Sequence, residues 1–315
     1  MSFNKAAVWA AAGMLVLGGV TVGAAKPAEV KTVKVLGIGN SFLGNANAYK
    51  DKLNAEDPAN KLDVGSALIG GCSLEKHWNL VEAYEKNPDD PKGKPYRLGK
   101  KKASLKEMLQ SKKWDYVSIQ QLSNYSDRPE TFMPYAENLY KYIKKYCPEA
   151  EVVVYETWAD RVDNKRLDKK KKNQEQMYKD LRAAYCGIAA KLGGLKMIPV
   201  GDAFQEVRAE WKFKPDAALD LKKYKYPELP DQNGTLCIGW RWWQHKKTGE
   251  RKIIYDHHAN GQGKLLAALV WREFFLGTDS RTSKYLPKGV TEDEAKVIRE
   301  AAHKIVSQNP SPGKK

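Results

Sequence analysis

Five short apolar runs rich in β-type residues recur along the chain, at Thr32–Ile38, Leu62–Ile69, Trp114–Ile119, Glu151–Tyr155 and Leu195–Val200. Between them, Ser73–Tyr84, Ser104–Gln110, Glu130–Tyr146 and Asn173–Leu192 repeat apolar residues every three or four positions, the period of a helix with one buried face. A strand followed by a helix must cross over before it can pair again, so this alternation predicts a parallel sheet covered on both faces. A last amphipathic helix, Gln262–Leu276, follows the fifth run after a long excursion. With 315 residues and 42% hydrophobic content, the chain can bury the core of one enlarged α/β domain.

In an open parallel sheet, chemistry collects where the carboxyl ends of the strands turn. The first run stops at Gly39-Asn40-Ser41, the second at Gly70-Gly71-Cys72-Ser73, and the third at Gln120-Gln121-Leu122-Ser123-Asn124. Ser41 alone could serve as a helix cap; three small or polar turns at one edge exceed what a cap requires. A fourth piece, Tyr255-Asp256-His257-His258-Ala259-Asn260-Gly261, opens the last helix and returns to the same edge. A serine hydroxyl is a weak nucleophile until a base takes its proton, and imidazole titrates in the range suited to that work. The chain has only five histidines, and two adjacent ones beside an aspartate are an economical source of the base.

The first 25 residues carry Lys5, then an apolar stretch without acids that ends in Val22-Gly23-Ala24-Ala25, the pattern of a cleaved secretory signal. The expected organisation is a signal peptide over 1–25, a domain over 26–308 with an insertion at about 207–255, and a disordered tail over 309–315. This places the protein in a secreted or periplasmic setting, without a stable membrane span once the leader is removed. There Cys72, Cys147, Cys186 and Cys237 could form two disulfides, in any of three connectivities, or remain buried thiols. Their spacing fits no zinc ribbon or redox pair, and no phosphate-cradling loop appears, so neither metal nor cofactor is expected. The formal charge of +16 arises from lysine-rich stretches that read as solvated loops or as attraction to an anionic polymer; export argues against nucleic acid.

Taken together, these motifs resemble the SGNH (GDSL-like) hydrolases, and within them the bacterial branch that opens with G-N-S-F. Gly39-Asn40-Ser41-Phe42 is similar to the nucleophile block, Gly71-Cys72-Ser73 to the glycine block, and His258-Ala259-Asn260-Gly261-Gln262-Gly263 to the H-x-N-x-x-G block. Ile119-Gln120, Glu156-Thr157-Trp158 and Ile198-Pro199-Val200-Gly201-Asp202-Ala203 follow in order, so the resemblance spans roughly residues 32 to 305. It implies a flavodoxin-like three-layer sandwich with a five-stranded parallel sheet in the order 2-1-3-4-5. It also implies an ester hydrolase in which Ser41 attacks, His258 is the base, and the amides of Ser41 and Gly71 bind the oxyanion.

Two positions depart from the family pattern. The acid usually stands three residues before the histidine, where this chain has Tyr255; Asp256, two before, is the candidate, against a serine–histidine dyad or an acid from elsewhere. The third oxyanion donor, usually asparagine, is expected at Gln120, with Gln121 and Asn124 as rivals. His77 is a candidate substrate contact or a structural histidine of its helix, and Asp202 a turn or helix cap. The insertion ends in a hairpin, from Thr235 through a turn at Gly249 to Tyr255, whose Trp240, Trp242 and Trp243 either pack it down or form a platform for sugar beside Arg241, Lys246 and Lys247. The implied substrate is an acylated carbohydrate, acetylated in the simplest case, with an anionic polymer as a variant. The alternative is a non-catalytic polysaccharide-binding protein on the same fold. Thr291-Glu292-Asp293-Glu294 reads as a capping box opening a final helix through Ser307.

Overall fold

The computed structural model of the chain describes Met1 and residues 30–309. The expected leader and nearly all of the expected tail lie outside the described residues.

The chain opens with β1 (Lys31–Gly39), short helices α1 (Ser41–Ala46) and α2 (Lys50–Glu56), then β2 (Asn60–Leu68) and α3 (Leu74–Lys86). A small hairpin, β3 (Tyr96–Leu98) and β4 (Lys101–Ala103), precedes α4 (Leu105–Gln110), β5 (Tyr116–Ile119), α5 (Tyr135–Tyr146) and β6 (Glu151–Glu156). Helices α6 (Arg166–Lys170) and α7 (Gln174–Lys191) lead to β7 (Met197–Pro199) and α8 (Val200–Trp211). The inserted hairpin β8 (Cys237–Gln244) and β9 (Arg251–Ala259) runs into α9 (Gly261–Leu276), and α10 (Glu292–Gln308) closes the fold.

The main sheet has the order β2-β1-β5-β6-β7, all parallel, which is the expected 2-1-3-4-5 arrangement. Side chains alternate across a strand, and the core divides accordingly. From β1, Val33 and Val35 join one apolar cluster while Leu36 and Ile38 join the other; from β6, Val153 and Tyr155 oppose Val152 and Val154 in the same way. The first cluster is completed by α1, α8, α9 and α10, the second by α3, α4, α5 and α7. Helix α9 is buried almost all round because α10 packs over it, which explains its apolar composition on every face. The capping box at Thr291 forms as its sequence implies, with Glu294 answering the Thr291 amide.

The hairpin β3–β4 has no counterpart among the sequence expectations, since Tyr-Arg-Leu and Lys-Lys-Ala are too short and too polar to show a strand period. All four cysteines are free thiols, one of the two states that the sequence left open. They sit on separate elements with other partners: the Cys147 thiol donates to the Leu109 carbonyl at 3.0 Å, and Cys186 receives Arg182 at 2.8 Å. Burial pushes the Cys72 thiol up to about 12, so it is not poised as a thiolate. Among the described residues, no helix is long and apolar enough to cross a membrane.

Candidate active site

Strand β1 ends at Gly39, and the chain turns at Asn40 into α1 with Ser41 as its first helical residue. Asn40 is buried and ties three turns together. Its Oδ1 caps the Phe42 amide at 3.1 Å and receives Gln120 Nε2 at 2.9 Å, while its Nδ2 donates to the Cys72 carbonyl at 3.0 Å. A Cβ on Gly39 would collide with the Gln120 amide, so this close approach requires glycine. Below the turn, His77 is fully buried, with Nε2 against the Gly39 carbonyl at 3.2 Å and Nδ1 against Tyr96 Oη at 2.8 Å. The carbonyl accepts only, so Nε2 carries the proton and Tyr96 donates to Nδ1. His77 therefore braces the turn at Gly39–Ser41 from inside and is buried away from solvent.

Opposite Ser41 stands the end of β9. Pairing runs Gly239 with Asp256 and then Cys237 with Ala259, so His257 and His258 together oppose Ile238 alone. That extra residue is a β-bulge, which re-aims side chains that would otherwise alternate. Both imidazoles consequently lie on one side, their rings stacked at 4.7 Å and 22°. The bulge also brings Asp256, two positions earlier, against the His258 ring. Asp256 Oδ1 accepts the His258 backbone amide at 3.0 Å, an Asx-type turn, and takes His258 Nδ1 at 2.6 Å. The far edge of that ring, Nε2, is 2.7 Å from Ser41 Oγ. With Nδ1–H given to the carboxylate, Nε2 is left as acceptor for the serine hydroxyl.

Arg241, which sequence reasoning placed only beside the tryptophans, donates Nε to the second oxygen of Asp256 at 2.7 Å. The bond from His258, with that from Arg241, holds the Asp256 carboxyl far below the usual carboxylate range against the cost of its partial burial. The bulged strand is backed by an aromatic column in which Phe204, Trp158 and Phe42 stack at 4.6 and 3.9 Å. Trp158 Nε1 also donates to the His257 carbonyl at 3.3 Å, and the Ala259 amide donates to Asn45 Oδ1 at 3.0 Å, so β9 is tied to the turn after β6 on one side of His258 and to α1 on the other. Residues of the fourth and fifth turns also act structurally: Asp202 receives Tyr178 Oη at 2.7 Å and Arg182 at 2.8 Å, rather than only capping α8.

The three residues expected as candidates for a third oxyanion donor each have partners within the protein. Gln120 is buried with its amide nitrogen committed to Asn40, because the space above Gly39 draws the side chain inward. Gln121 is also buried, giving Nε2 to the Thr131 carbonyl, and Asn124 receives Arg166. Gly71 turns with φ +63°, a left-handed geometry natural to glycine, and Ser41 is a first-turn residue whose amide has no intrahelical acceptor. Two hollows, of about 500 Å³ between α8 and α10 and about 420 Å³ within the insertion, are not lined by Ser41, His258 or Asp256. Among the described residues, Glu273, Asp279 and His303 could offer three metal ligands within 4.8 Å of one another, but His303 Nδ1 bonds Glu273 at 2.8 Å and Arg281 holds Asp279 at 2.7 Å.

Burial keeps His77 and His257 neutral, with both pulled down to about 4; the Arg166 charge also contributes at His257. An unfolded imidazole takes up its proton near pH 6.5, so both side chains contribute stability that is whole above that pH and is lost as pH falls toward 4. The slope in that window is about 1.4 kcal/mol per pH unit for each group. Urea midpoints should therefore drop on acidification from about pH 7 to 4.5, and His77→Gln should flatten the trend; an unchanged slope in that variant would show that His77 titrates normally.

The parallel order, the strand-end turns and the facing Ser41 and His258 define an α/β fold that resembles the SGNH/GDSL hydrolase superfamily. The chain belongs to the DUF4886 family, a domain of unknown function whose family model matches residues 34–220. A DUF4886 protein from Bacteroides uniformis is similar over 89% of this chain and 97% of its own, with 24% identity and a TM-score of 0.66. An acetyl xylan esterase from Geobacillus stearothermophilus is similar over 79% of this chain and 98% of its own at 13% identity and a TM-score of 0.40. A member of the lipolytic G-D-S-L family from Veillonella parvula is similar over 77% and 98% at 12% identity and a TM-score of 0.40. No curated protein matches the sequence.

Proposed function

We propose that this protein is a serine esterase in which Ser41, His258 and Asp256 act as one unit. The observation that carries the reading is the unbroken chain of short hydrogen bonds, 2.7 Å from Ser41 Oγ to His258 Nε2 and 2.6 Å from His258 Nδ1 to Asp256. Ser41 Oγ attacks the acyl carbon as His258 Nε2 takes its proton; His258 returns that proton to the departing alcohol, and water then releases the acid by the reverse sequence. Asp256 keeps the ring in the tautomer that accepts at Nε2 and stabilises the imidazolium. The amides of Ser41 and Gly71 are the oxyanion donors, with the third place open now that Gln120 faces Asn40.

Ser41 is half-buried at the turn after β1 and lines neither of the two larger hollows, which suits a small acyl group such as acetyl on a large alcohol. The aromatic and basic hairpin that carries Asp256 and His258 suits a carbohydrate as that alcohol. The leader-like first 25 residues support a secreted or periplasmic setting for this chemistry.

Hydrolysis of p-nitrophenyl acetate by the purified protein, with Ser41→Ala as control, tests the reading. Turnover should be present in the wild type and fall to the buffer rate in the variant. Equal rates in both would sink the esterase reading and leave polysaccharide binding on the same fold.

A further inference from the structure

The hairpin β8–β9 has two faces, and its register sorts every residue between them. Gly239 pairs with Asp256, Arg241 with Ile254 and Trp243 with Lys252, all on one face; Trp240 pairs with Tyr255 and Trp242 with Ile253 on the other. The second face is covered by the segment after β6 and by the insertion itself. Trp240 Nε1 and Tyr255 Oη both donate to Asp163, at 3.1 and 2.9 Å, and Trp240 is only 8% exposed. Trp242 Nε1 donates to the Glu228 carbonyl at 2.9 Å, with Tyr226 packed edge-on against its ring. Two of the three tryptophans suggested by the sequence as a platform thus hold the insertion down.

The first face is different, because it carries the acid. Arg241 reaches Asp256 through Nε while its side chain stays 40% exposed, which leaves the outer edge of the guanidinium toward solvent. Trp243 lies two residues further out and is half-buried, with Lys252 Nζ 5.0 Å over its ring and Lys252 itself exposed. At about 3.4 Å per strand residue, this strip runs roughly 14 Å outward from the level of Asp256. Its paired residues combine a flat aromatic surface with two cations and the Asp256 carboxylate, with Glu250 beyond the outer end, on a chain of net charge +16.

We infer that the Arg241–Trp243–Lys252 face is a binding subsite for an acidic carbohydrate chain, with Trp243 stacking on a sugar ring while Arg241 and Lys252 meet the carboxylates of uronic acid units. This rests on the esterase reading for its link to Ser41: the polymer would lie along the strip with its ester at the inner end. An aromatic ring and cations at strand spacing match alternating apolar sugar faces and carboxylates, whereas a neutral glycan would offer no anion to the open edge of Arg241 or to Lys252.

The test compares O-acetylated polygalacturonate, O-acetylated glucomannan and p-nitrophenyl acetate as substrates, and titrates unesterified oligogalacturonate into the Ser41→Ala full-length chain by calorimetry. Trp243→Ala and Lys252→Gln should each raise KM for acetylated polygalacturonate about 5- to 30-fold. Neither should change kcat/KM for p-nitrophenyl acetate more than about twofold, since remote binding is lost and the serine chemistry is not. Trp242→Phe, on the opposite face, should leave KM unchanged. In the Ser41→Ala background, Trp243→Ala should weaken oligogalacturonate binding by the same factor. The inference is overturned if Trp242→Phe matches Trp243→Ala, if glucomannan is affected as strongly as polygalacturonate, or if oligogalacturonate does not bind. A wild type that hydrolyses none of the three esters would overturn the esterase reading alone, and the calorimetric arm would still decide this one.

Discussion

Ser41→Ala should lower kcat for a small ester by about 10⁴-fold or more, His258→Ala should cost nearly as much, and the double variant should lose little beyond either single change. The reason is mechanical. Ser41 Oγ is an alcohol of ordinary reactivity except for the acceptor 2.7 Å away, and His258 Nε2 has no other hydroxyl in reach of the reaction. Removing one partner leaves the other without a task, so the losses cannot add. His257→Ala is the informative contrast, since its ring stacks on His258 and its Nε2 faces Ser123 Oγ at 3.4 Å rather than Ser41. Its loss should loosen the bulge and reduce kcat far less. Should His257→Ala abolish turnover while His258→Ala keeps it, the base has been placed on the wrong imidazole.

Asp256→Asn should reduce kcat by roughly 10²- to 10⁴-fold with KM nearly unchanged. Oδ1 already accepts two bonds from His258 and Oδ2 one from Arg241, so both oxygens act only as acceptors. An amide must turn its NH₂ toward one of these donors. Against Arg241, the ring keeps its orientation but loses the charge that stabilises the imidazolium; against His258, the wrong tautomer is selected and Nε2 can no longer accept from Ser41. Because the carboxyl is held so far below its usual range, wild-type turnover should show no acid limb from Asp256. Activity close to wild type in Asp256→Asn would point to a serine–histidine dyad.

The parts of this site that were legible in the sequence are those set by local pattern. A β run ending in Gly-Asn-Ser places a serine at a strand end, and an Asp-His-His segment ahead of a helix returns imidazoles to the same edge; the alternation of strands and helices and the inserted hairpin were readable for the same reason, whereas the sheet order came from the family resemblance. What the sequence hid depends on pairing. Nothing within Tyr255–Ala259 announces that two residues will oppose Ile238, yet this bulge allows an acid only two positions away to reach the imidazole. Whether Gln120 faces the cleft or the core is likewise decided by Gly39 and Asn40, eighty positions earlier, and burial under the turn removed His77 from the surface. The division of the tryptophans was half visible: alternation in Trp240-Arg241-Trp242-Trp243 already sets Trp243 with Arg241 and apart from the other two, but which face meets the acid becomes clear only from the register.

Covalent capture of the nucleophile tests the central claim most directly. Wild-type protein treated with a fluorophosphonate and digested for mass spectrometry should carry a single phosphonyl adduct on the peptide containing Ser41. The adduct should be absent from Ser41→Ala and strongly reduced in His258→Ala, because the hydroxyl becomes reactive only when its proton has somewhere to go. An adduct on another serine, or labelling of Ser41 that is indifferent to His258, would contradict the account.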